Sequence, residues 1–346
     1  MVDFAGWDMP VSYPSGTLAE VRACRAGAGI FDVSHMGQAR VSGGRAPDFL
    51  QSVFTNDLAR VAAGGAQYGL LLTPQGGVID DVIVYRRAAS EFLVVVNASR
   101  READLSWLSA RRGSFGALVA DVSDDYALLA VQGPQATALV EDLLDAPIAR
   151  PERFHFASAS LSGAPAMLSR TGYTGEDGYE IFCGPADSGK LWDHLIDAGA
   201  APCGLGARDV LRLEAAYPLY GHELDAEHTP LESGAGWAVK LGKGDFCGRE
   251  ALLAQKARGV ADVLAGLRLV SPPNAIPREG CGVEDASGEP VGVVTSGTLS
   301  PTLGAGIALA RIKADFAAPG GALTLDIRGR KVGAEVVRLP FYRNGV

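Results

Sequence analysis

Short apolar runs separated by glycine recur along the whole chain, which carries 44 glycines among its 346 residues. Glycine ends helices and forms tight turns, so this spacing limits most elements to a few residues and favours a strand-rich fold. In the first half of the chain, the runs that predict strands are residues 67–72, 78–85, 92–97 and 126–131.

Helical patterns lie between these strands. Thr17 and Glu20 have the spacing of a capping box, which predicts a helix that ends at Gly27 or Gly29. The same spacing opens a second predicted helix at residues 99–110, and a third follows at residues 134–144. Because the strands and helices alternate without the regular spacing of βαβ units, we expect an α+β fold and not a doubly wound parallel sheet.

The pattern changes near residue 261, after which helical signals fade. Glycine, proline and serine then separate short β-rich runs, which is typical of a small β-barrel or sandwich. We therefore expect two regions, residues 1–258 and residues 259–346. The strands predicted in the second region are residues 264–270, 291–295, 307–312, 323–327 and 331–337.

Charge and composition exclude several classes of function. The formal net charge of −9 opposes binding to a phosphate backbone, so we expect no nucleic-acid partner. The five cysteines contain no CxxC pair and the five histidines show no ligand spacing, so we expect neither a disulfide framework nor a metal site. No apolar run approaches the roughly 20 residues of a membrane span, and the N-terminal residues do not resemble a secretory signal. We therefore expect a cytoplasmic protein.

Two segments resemble nucleotide-binding motifs but lack a residue that each motif requires. Residues 184–190 read G-P-A-D-S-G-K, but Leu191 occupies the place where a phosphate-binding loop needs serine or threonine. The pair Gly204 and Gly206 begins a dinucleotide fingerprint in which Asp209 replaces the last glycine. No G-x-S-x-G elbow of a serine hydrolase appears either.

The first informative segment is G-G-V-I-D-D-V-I-V-Y at residues 76–85. It predicts a buried strand with two carboxylates, Asp80 and Asp81, near its start. Successive strand side chains point to opposite faces, so only one of the two can face a given cavity. A buried carboxylate costs several kcal/mol unless a partner compensates it, although a simple turn cap also fits this spacing.

Two further segments carry functional side chains. Residues 170–181 read R-T-G-Y-T-G-E-D-G-Y-E-I, where Tyr173 can present a ring for stacking and Glu180 a carboxylate for a pair of donors. A plain hairpin loop would explain the glycines of this segment, but it explains the density of acids and tyrosines less well. Residues 204–214 predict a helix with Arg208 in its first turn, where a cation is unfavourable for the helix dipole unless an anion holds it.

These three segments resemble the T-protein, or aminomethyltransferase, family of the glycine cleavage system, and the resemblance extends in order over nearly the whole chain. Each motif is weak by itself, but the ordered set is very specific. The other matching motifs are F-A-G-W at residues 4–7, M-P at 9–10, F-D-V-S-H-M-G at 31–37, T-N-D at 55–57, F-C-G-R-E at 246–250, T-S-G at 295–297, S-P at 300–301 and P-F-Y-R at 340–343.

The resemblance implies a fold and a reaction. The family has two intertwined α+β subdomains and a C-terminal β-barrel-like domain in a cloverleaf arrangement, with tetrahydrofolate in a central channel. It takes an aminomethyl group from the lipoyl arm of the H-protein, releases ammonia and forms 5,10-methylenetetrahydrofolate. It works together with the glycine decarboxylase and dihydrolipoamide dehydrogenase components, and it uses no metal.

The resemblance also implies roles for individual residues. The catalytic aspartate of the family matches Asp81, where a carboxylate can stabilise a developing cation and orient or deprotonate the attacking amine. The glutamate that binds the pterin matches Glu180. The other matches near the folate are Met36, Tyr68, Tyr85, Asn97, Tyr173, Arg208 and Arg343.

Two alternative functions are considered beside the aminomethyltransferase. One is a folate-dependent demethylase-like domain of the kind fused to sarcosine or dimethylglycine oxidases, although this chain has no flavin-binding half. The other is a non-catalytic folate-binding relative involved in tRNA modification or iron–sulfur assembly. Such relatives carry Lys-Gly-Cys followed by Gly-Gln-Glu, whereas here Asp245 follows Gly244 and Cys247 comes two positions late. The chain also starts almost at the F-A-G-W motif, which most members of the family place after a short leading segment.

Overall fold

The computed structural model describes residues 1–344, and these residues divide into two compact units. The first unit comprises Met1–Leu71, Asp80–Arg208 and Gly242–Cys247. The second unit comprises Leu72–Ile79, Asp209–Leu241 and the chain from Gly248 onwards. The backbone therefore passes from one unit to the other several times, and neither unit is a single continuous stretch of sequence.

The strands that precede the C-terminal region fall into a hairpin and two sheets. Strands β1 and β2 form the hairpin, the five-stranded sheet has the order β5-β6-β7-β4-β8, and the six-stranded sheet has the order β10-β11-β12-β9-β3-β13. These strands are, in chain order, β1 Val2–Phe4, β2 Trp7–Met9, β3 Gly29–Asp32, β4 Gly37–Ser42, β5 Ala66–Leu72, β6 Val78–Ala88, β7 Glu91–Val96, β8 Leu118–Asp121, β9 Ala127–Gln132, β10 Phe156–Leu161, β11 Ala164–Ser169, β12 Gly178–Cys183 and β13 Ala201–Pro202.

Antiparallel pairing dominates both sheets. In the six-stranded sheet, every neighbouring pair is antiparallel except β3 with β13. The predicted α+β class is therefore confirmed. Strand β9 lies inside this sheet, and all six of its residues are buried, which is why its sequence is almost entirely apolar.

The helices of the described residues are α1 Thr17–Ala26, α2 Ala46–Val53, α3 Arg101–Arg111, α4 Ala136–Glu141, α5 Pro185–Asp197, α6 Leu205–Glu214 and α7 Arg249–Arg258. Helix α5 packs the fully buried Leu191 and Leu195 into the core of the six-stranded sheet. Because α5 begins at Pro185, residues 185–190 form helical turns and not a phosphate-binding loop. None of these helices is long and apolar enough to cross a membrane.

Both predicted capping boxes are wrong, although the helices they were expected to open are present. Helix α1 begins at Thr17 after Gly16, and no side chain caps it. The buried Glu20 carboxylate instead accepts hydrogen bonds from the backbone N–H groups of Tyr13, at 2.5 Å, and Gly204, at 3.0 Å. Tertiary donors compete successfully for this carboxylate, because a buried charge needs more partners than one cap supplies. Helix α3 likewise begins without a side-chain cap.

The C-terminal strands close into a six-stranded barrel in the order β14-β17-β16-β15-β18-β19. Its strands are β14 Asp262–Ser271, β15 Gly282–Glu284, β16 Pro290–Ser300, β17 Ala305–Lys313, β18 Ala322–Ile327 and β19 Arg330–Val337. All five strands predicted in this region are present, and the barrel is the correct one of the two expected architectures. The missed strand, β15, has only three residues and pairs irregularly with β16, so its sequence shows no period. The division at residues 258 and 259 stays a prediction.

A buried arginine organises the second unit. The Arg212 side chain is 2% exposed and donates to the carboxylates of Asp209, at 2.8 Å, and Glu223, at 2.9 Å. It also donates to the Ser296 hydroxyl at 2.8 Å. This network joins the C-terminal half of α6 to barrel strand β16, since Ser296 lies on that strand.

The close packing of β12 against β9 gives a stability prediction. A Cβ atom at Gly178 would lie 2.1 Å from the carbonyl oxygen of Val131, so Gly178→Ala requires the two strands to separate. We expect it to lower the free energy of unfolding by about 1–3 kcal/mol in chemical denaturation. Gly189→Ala is the control, because Gly189 lies within α5 and a Cβ there meets nothing within 4 Å. This control should raise stability by about 0.5–1 kcal/mol. Equal effects of the two changes would contradict the packing argument.

Candidate active site

Most of the residues predicted to form the site lie in the first unit, on or beside strands of its two sheets. Asp81 and Tyr85 lie on β6, Tyr68 on β5, and Glu180 on β12. Asn97 directly follows β7, Tyr173 lies between β11 and β12, and Met36 lies between β3 and β4. Arg208 lies in the first turn of α6.

Tyr68, Asp80, Asp81 and Asn97 form one hydrogen-bonded group, which we call the Asn97 cluster. The Asn97 side-chain amide donates to the carboxylates of both Asp80 and Asp81, each at 2.8 Å. The backbone N–H of Asn97 donates to the second oxygen of Asp80 at 2.9 Å. The Tyr68 hydroxyl donates to the second oxygen of Asp81 at 3.1 Å.

The two aspartates differ in exposure. Asp80 is fully buried, whereas Asp81 is partly exposed. Burial, with the neighbouring charge of Asp80, raises the pKa of Asp81 to about 7, and the bonds from Tyr68 and Asn97 limit that rise. A carboxyl group that titrates near neutral pH can both accept and return a proton under physiological conditions.

Tyr85, Ser169, Thr171 and Glu180 form a second group, the Glu180 cluster. The Thr171 hydroxyl donates a short hydrogen bond to the Glu180 carboxylate. Its single proton is thereby used, so Thr171 accepts from the hydroxyls of Tyr85, at 3.2 Å, and Ser169, at 2.8 Å. Burial raises the pKa of Glu180, which the Thr171 bond and the positive charge of Arg208 partly oppose.

Arg208 and Tyr173 lie together. The Arg208 guanidinium carbon is 4.6 Å from the centroid of the Tyr173 ring, within the range of a cation–π contact. Arg208 also lines a small cavity with Phe31, Asp32 and Gly204, among other residues. A cation, an aromatic face and a carboxylate thus occur in one unit, which is the set that a flat heterocycle with donor and acceptor edges needs.

His35 is buried beneath the N-terminal hairpin and is not among the predicted site residues. Its ring meets the Phe4 ring edge to face, with centroids 5.4 Å apart. Burial and the charge of Arg208 lower the pKa of His35 to about 4, so the ring is neutral at physiological pH.

Two predicted residues are not joined to these clusters by a hydrogen bond that the structure shows. Met36 is half-buried, and its carbonyl oxygen accepts from the Gln38 side chain at 2.8 Å. Arg343 belongs to the second unit, where its side chain is exposed. Their roles beside the folate stay predictions, as do the roles of the other predicted site residues.

Sequence reasoning gave no role to Thr171 or Asp104, and it did not predict the bond between Asp80 and Asn97. The Thr171 hydroxyl donates to the Glu180 carboxylate, yet a threonine in a glycine-rich loop gives no special signal. Asp104 is fully buried on α3, where its spacing fits an ordinary helix surface. Asp80 was recognised as buried, but its bond to Asn97 depends on the pairing of β6 with β7.

Within residues 1–344, no three histidine, cysteine or acidic side chains are grouped so that they could hold a metal ion. The carboxylates of the Asn97 cluster are instead surrounded by hydrogen-bond donors from Asn97 and Tyr68. Such an arrangement suits proton transfer and charge stabilisation by side chains.

Comparison with protein families gives matches along almost the whole chain. Residues 1–243 match the family described as the GCVT N-terminal domain. Residues 263–343 match the glycine cleavage T-protein C-terminal barrel domain, which agrees with the barrel formed by β14 to β19.

Individual relatives and a solved structure agree with these matches. An aminomethyltransferase of Saccharopolyspora erythraea is 46% identical, over 99% of this chain and 94% of its own length. An aminomethyltransferase of Bacillus subtilis is 44% identical, over 99% of this chain and 95% of its own length. The crystal structure of glycine cleavage system aminomethyltransferase T from Bartonella henselae superposes with a TM-score of 0.92 at 34% identity, and covers 99% of this chain and 93% of that one.

Both family domains, in the correct order, and full-length relatives above 40% identity lead to one assignment. The alternatives of a demethylase-like domain and a non-catalytic folate-binding protein have no comparable support. This chain belongs to the glycine cleavage T-protein family and is an aminomethyltransferase of the glycine cleavage system.

Proposed function

We propose that this enzyme transfers the one-carbon unit of an aminomethylated lipoyl arm to tetrahydrofolate, with Asp81 as the catalytic carboxylate. The donor is the lipoylated H-protein, and the system also includes the glycine decarboxylase and dihydrolipoamide dehydrogenase components. Family membership supports the reaction class and the folate substrate. The observation that carries the role of Asp81 is its position between two donors, Asn97 and Tyr68, with a pKa raised to about 7. The expected cytoplasmic location stays a prediction.

The transfer needs proton movement but no change of oxidation state. The carbon loses its bonds to sulfur and to the amino nitrogen, and it forms bonds to two folate nitrogens. These two nitrogens release one proton each, of which one goes to the lipoyl thiolate and one to the departing ammonia. A single carboxyl group that titrates near neutrality can carry such protons in sequence, and its negative form can stabilise the iminium-like carbon between the two bonds.

Glu180, Tyr173 and Arg208 are proposed to hold the folate. The amide and amino edge of a pterin is a pair of donors, which one carboxylate accepts in parallel. Thr171 already bonds to one oxygen of Glu180, and this bond fixes the plane of the carboxylate. Tyr173 supplies a ring face for the pterin, while Arg208 supplies a cation for the glutamate tail or a carbonyl group. Met36, Tyr85 and Arg343 are proposed to line the same site.

Glu180→Gln tests this binding role. The change replaces one acceptor oxygen with an amide donor, which opposes the donor edge of the pterin. We expect the free energy of tetrahydrofolate binding in calorimetry to weaken by about 1–3 kcal/mol. The exposed Glu152 serves as control, and Glu152→Gln should bind normally. Normal folate affinity in Glu180→Gln would remove this residue from the site.

Asp81→Asn tests the catalytic role. The side chain keeps its size but loses its charge and its ability to accept a proton. We expect kcat for ammonia release with aminomethylated H-protein to fall by about 10- to 1,000-fold, which corresponds to roughly 1.4–4 kcal/mol of transition-state stabilisation. Folate affinity should change far less. In the wild type, kcat/KM should rise with pH through about 7, the pKa of Asp81, because only the ionised form accepts a proton.

Asp80→Asn is not a neutral control for this experiment, since Asp80 and Asp81 share the Asn97 amide. The exposed Asp125 is better suited, and Asp125→Asn should transfer the one-carbon unit at the wild-type rate. A normal rate in Asp81→Asn would refute the proposed mechanism, even if the protein still binds folate.

The raised pKa of Asp81 also predicts a cost in stability. An aspartate with the ordinary pKa of 3.8 ionises in the unfolded chain well before it ionises in the fold, where its pKa is about 7. The wild type therefore loses stability as the pH rises from about 4 to 7, and the loss is constant above that range. We expect Asp81→Asn to be more stable than the wild type at pH 8 by about 1–3 kcal/mol, less than the full shift implies because water reaches part of this carboxylate. Denaturation at pH 4 should show no such gain, and a gain that persists there would have another cause.

A further inference from the structure

The Asp104 carboxyl group lies in an environment that does not satisfy it as an ion. It projects from α3 and is fully buried. Within residues 1–344, neither of its oxygens receives a hydrogen bond from an N–H group or a hydroxyl group. A buried carboxylate without donors costs several kcal/mol, so this side chain needs a proton or a protonated neighbour.

The neighbour is Asp80. Its carboxyl group lies within hydrogen-bonding reach of Asp104, and it is also fully buried. Both oxygens of Asp80 already accept hydrogen bonds from Asn97, one from the side-chain amide and one from the backbone N–H. Two carboxyl groups can form a hydrogen bond only when one of them carries a proton, because two carboxylates offer acceptors alone.

The surrounding charges favour retention of this proton. Arg100, just before α3, is the cation that favours the ionised form of Asp104. The negative charge of Asp81 on β6 opposes the ionisation of Asp104. The Tyr68 hydroxyl on β5 lies beside Asp81 and donates to it. Burial raises the pKa of Asp80 well above its ordinary value and the pKa of Asp104 to about 6. Arg100 is therefore one cation near two buried acids, Asp80 and Asp104, and this balance favours one negative charge on the pair.

We infer that Asp80 and Asp104 share a single proton as a carboxylic acid–carboxylate pair, and that this pair positions Asn97 and, through Asn97, the catalytic Asp81. The inference rests on the proposed role of Asp81 only for its functional consequence. Asp80 and Asp104 are positioning residues, since neither reaches the reacting atoms.

The pair acts on Asp81 in two ways. It presents two acceptor oxygens that hold the side chain and backbone N–H of Asn97, so that the Asn97 amide points its remaining proton at Asp81. The shared proton also limits the pair next to Asp81 to a single negative charge. A second negative charge would raise the pKa of Asp81 further and leave it protonated at neutral pH, where it could accept no proton.

Infrared spectroscopy of the substrate-free protein tests the shared proton directly. At pH 8, the wild type should show the C=O stretch of a protonated carboxyl group in the difference spectrum against Asp104→Asn, and this band should move in D₂O. Asp80→Asn should lack the same band, because one carboxylate and one amide then form the pair without a shared proton. Asp81→Asn should keep it, since the proton belongs to the other two residues. Identical wild-type and Asp104→Asn spectra, or a band lost only in Asp81→Asn, would overturn the inference.

Kinetics with tetrahydrofolate and aminomethylated H-protein test the positioning role, and the two variants should differ. In Asp104→Asn, the new amide donates to the Asp80 carboxylate and preserves its two bonds to Asn97, as well as the single negative charge. In Asp80→Asn, the new amide must turn its N–H₂ group toward a donor of Asn97. We expect Asp80→Asn to lower kcat/KM at least about tenfold more than Asp104→Asn does, and the acidic limb of the pH profile to shift only in Asp80→Asn.

Equal or reversed losses would contradict the positioning role. If Asp80→Asn does not fold, the spectrum and the pH profile of Asp104→Asn still test the inference. A shifted acidic limb in Asp104→Asn would show that the pair does not keep a single negative charge in this variant, and it would refute the inference. The spectra are recorded without substrate, so a protein that fails to transfer the one-carbon unit would refute the proposed function and leave the shared proton intact.

Discussion

A single amide, that of Asn97, makes it possible for two adjacent aspartates to lie within a strand of a sheet. The carboxylates of Asp80 and Asp81 both reach the side-chain nitrogen of Asn97, and either carboxylate would be costly there without donors. Asn97 donates to both of them, and its own orientation depends on Asp80. The same few hydrogen bonds therefore connect the start of β6 to the residue that follows β7.

The proposed site assigns to two carboxylates two tasks that one carboxylate could not perform together. Asp81 has donors on both oxygens and a pKa near 7, which suits a group that must change its protonation state. Glu180 is fixed by the Thr171 hydroxyl in a cluster with Tyr85 and Ser169, which suits a permanent acceptor. Two acids of similar intrinsic strength thus acquire different chemistry from the side chains that surround them.

Local patterns in the sequence predicted the strands and the α+β class, because short apolar runs between glycines report burial directly. These local patterns gave wrong predictions where residues distant in sequence determine the hydrogen bonds. The capping box at Thr17 did not form, since Glu20 bonds to Gly204, which is remote in sequence. The resemblance to the family indicated Asp81 and Glu180, but the buried contact of Asp104 with Asp80 joins a helix to a strand, and no local spacing reveals it.

Strand β6 is continuous in sequence, yet Val78 and Ile79 belong to the second unit while Asp80 begins a segment of the first. The backbone N–H of Val78 is held by the carbonyl groups of Asp225 and His228. The ribosome adds His228 about 150 residues after Val78, so these two hydrogen bonds can form only late in synthesis. A nascent or prematurely terminated chain that ends before Asp225 can therefore contain every residue of the Asn97 cluster and still lack this attachment of β6.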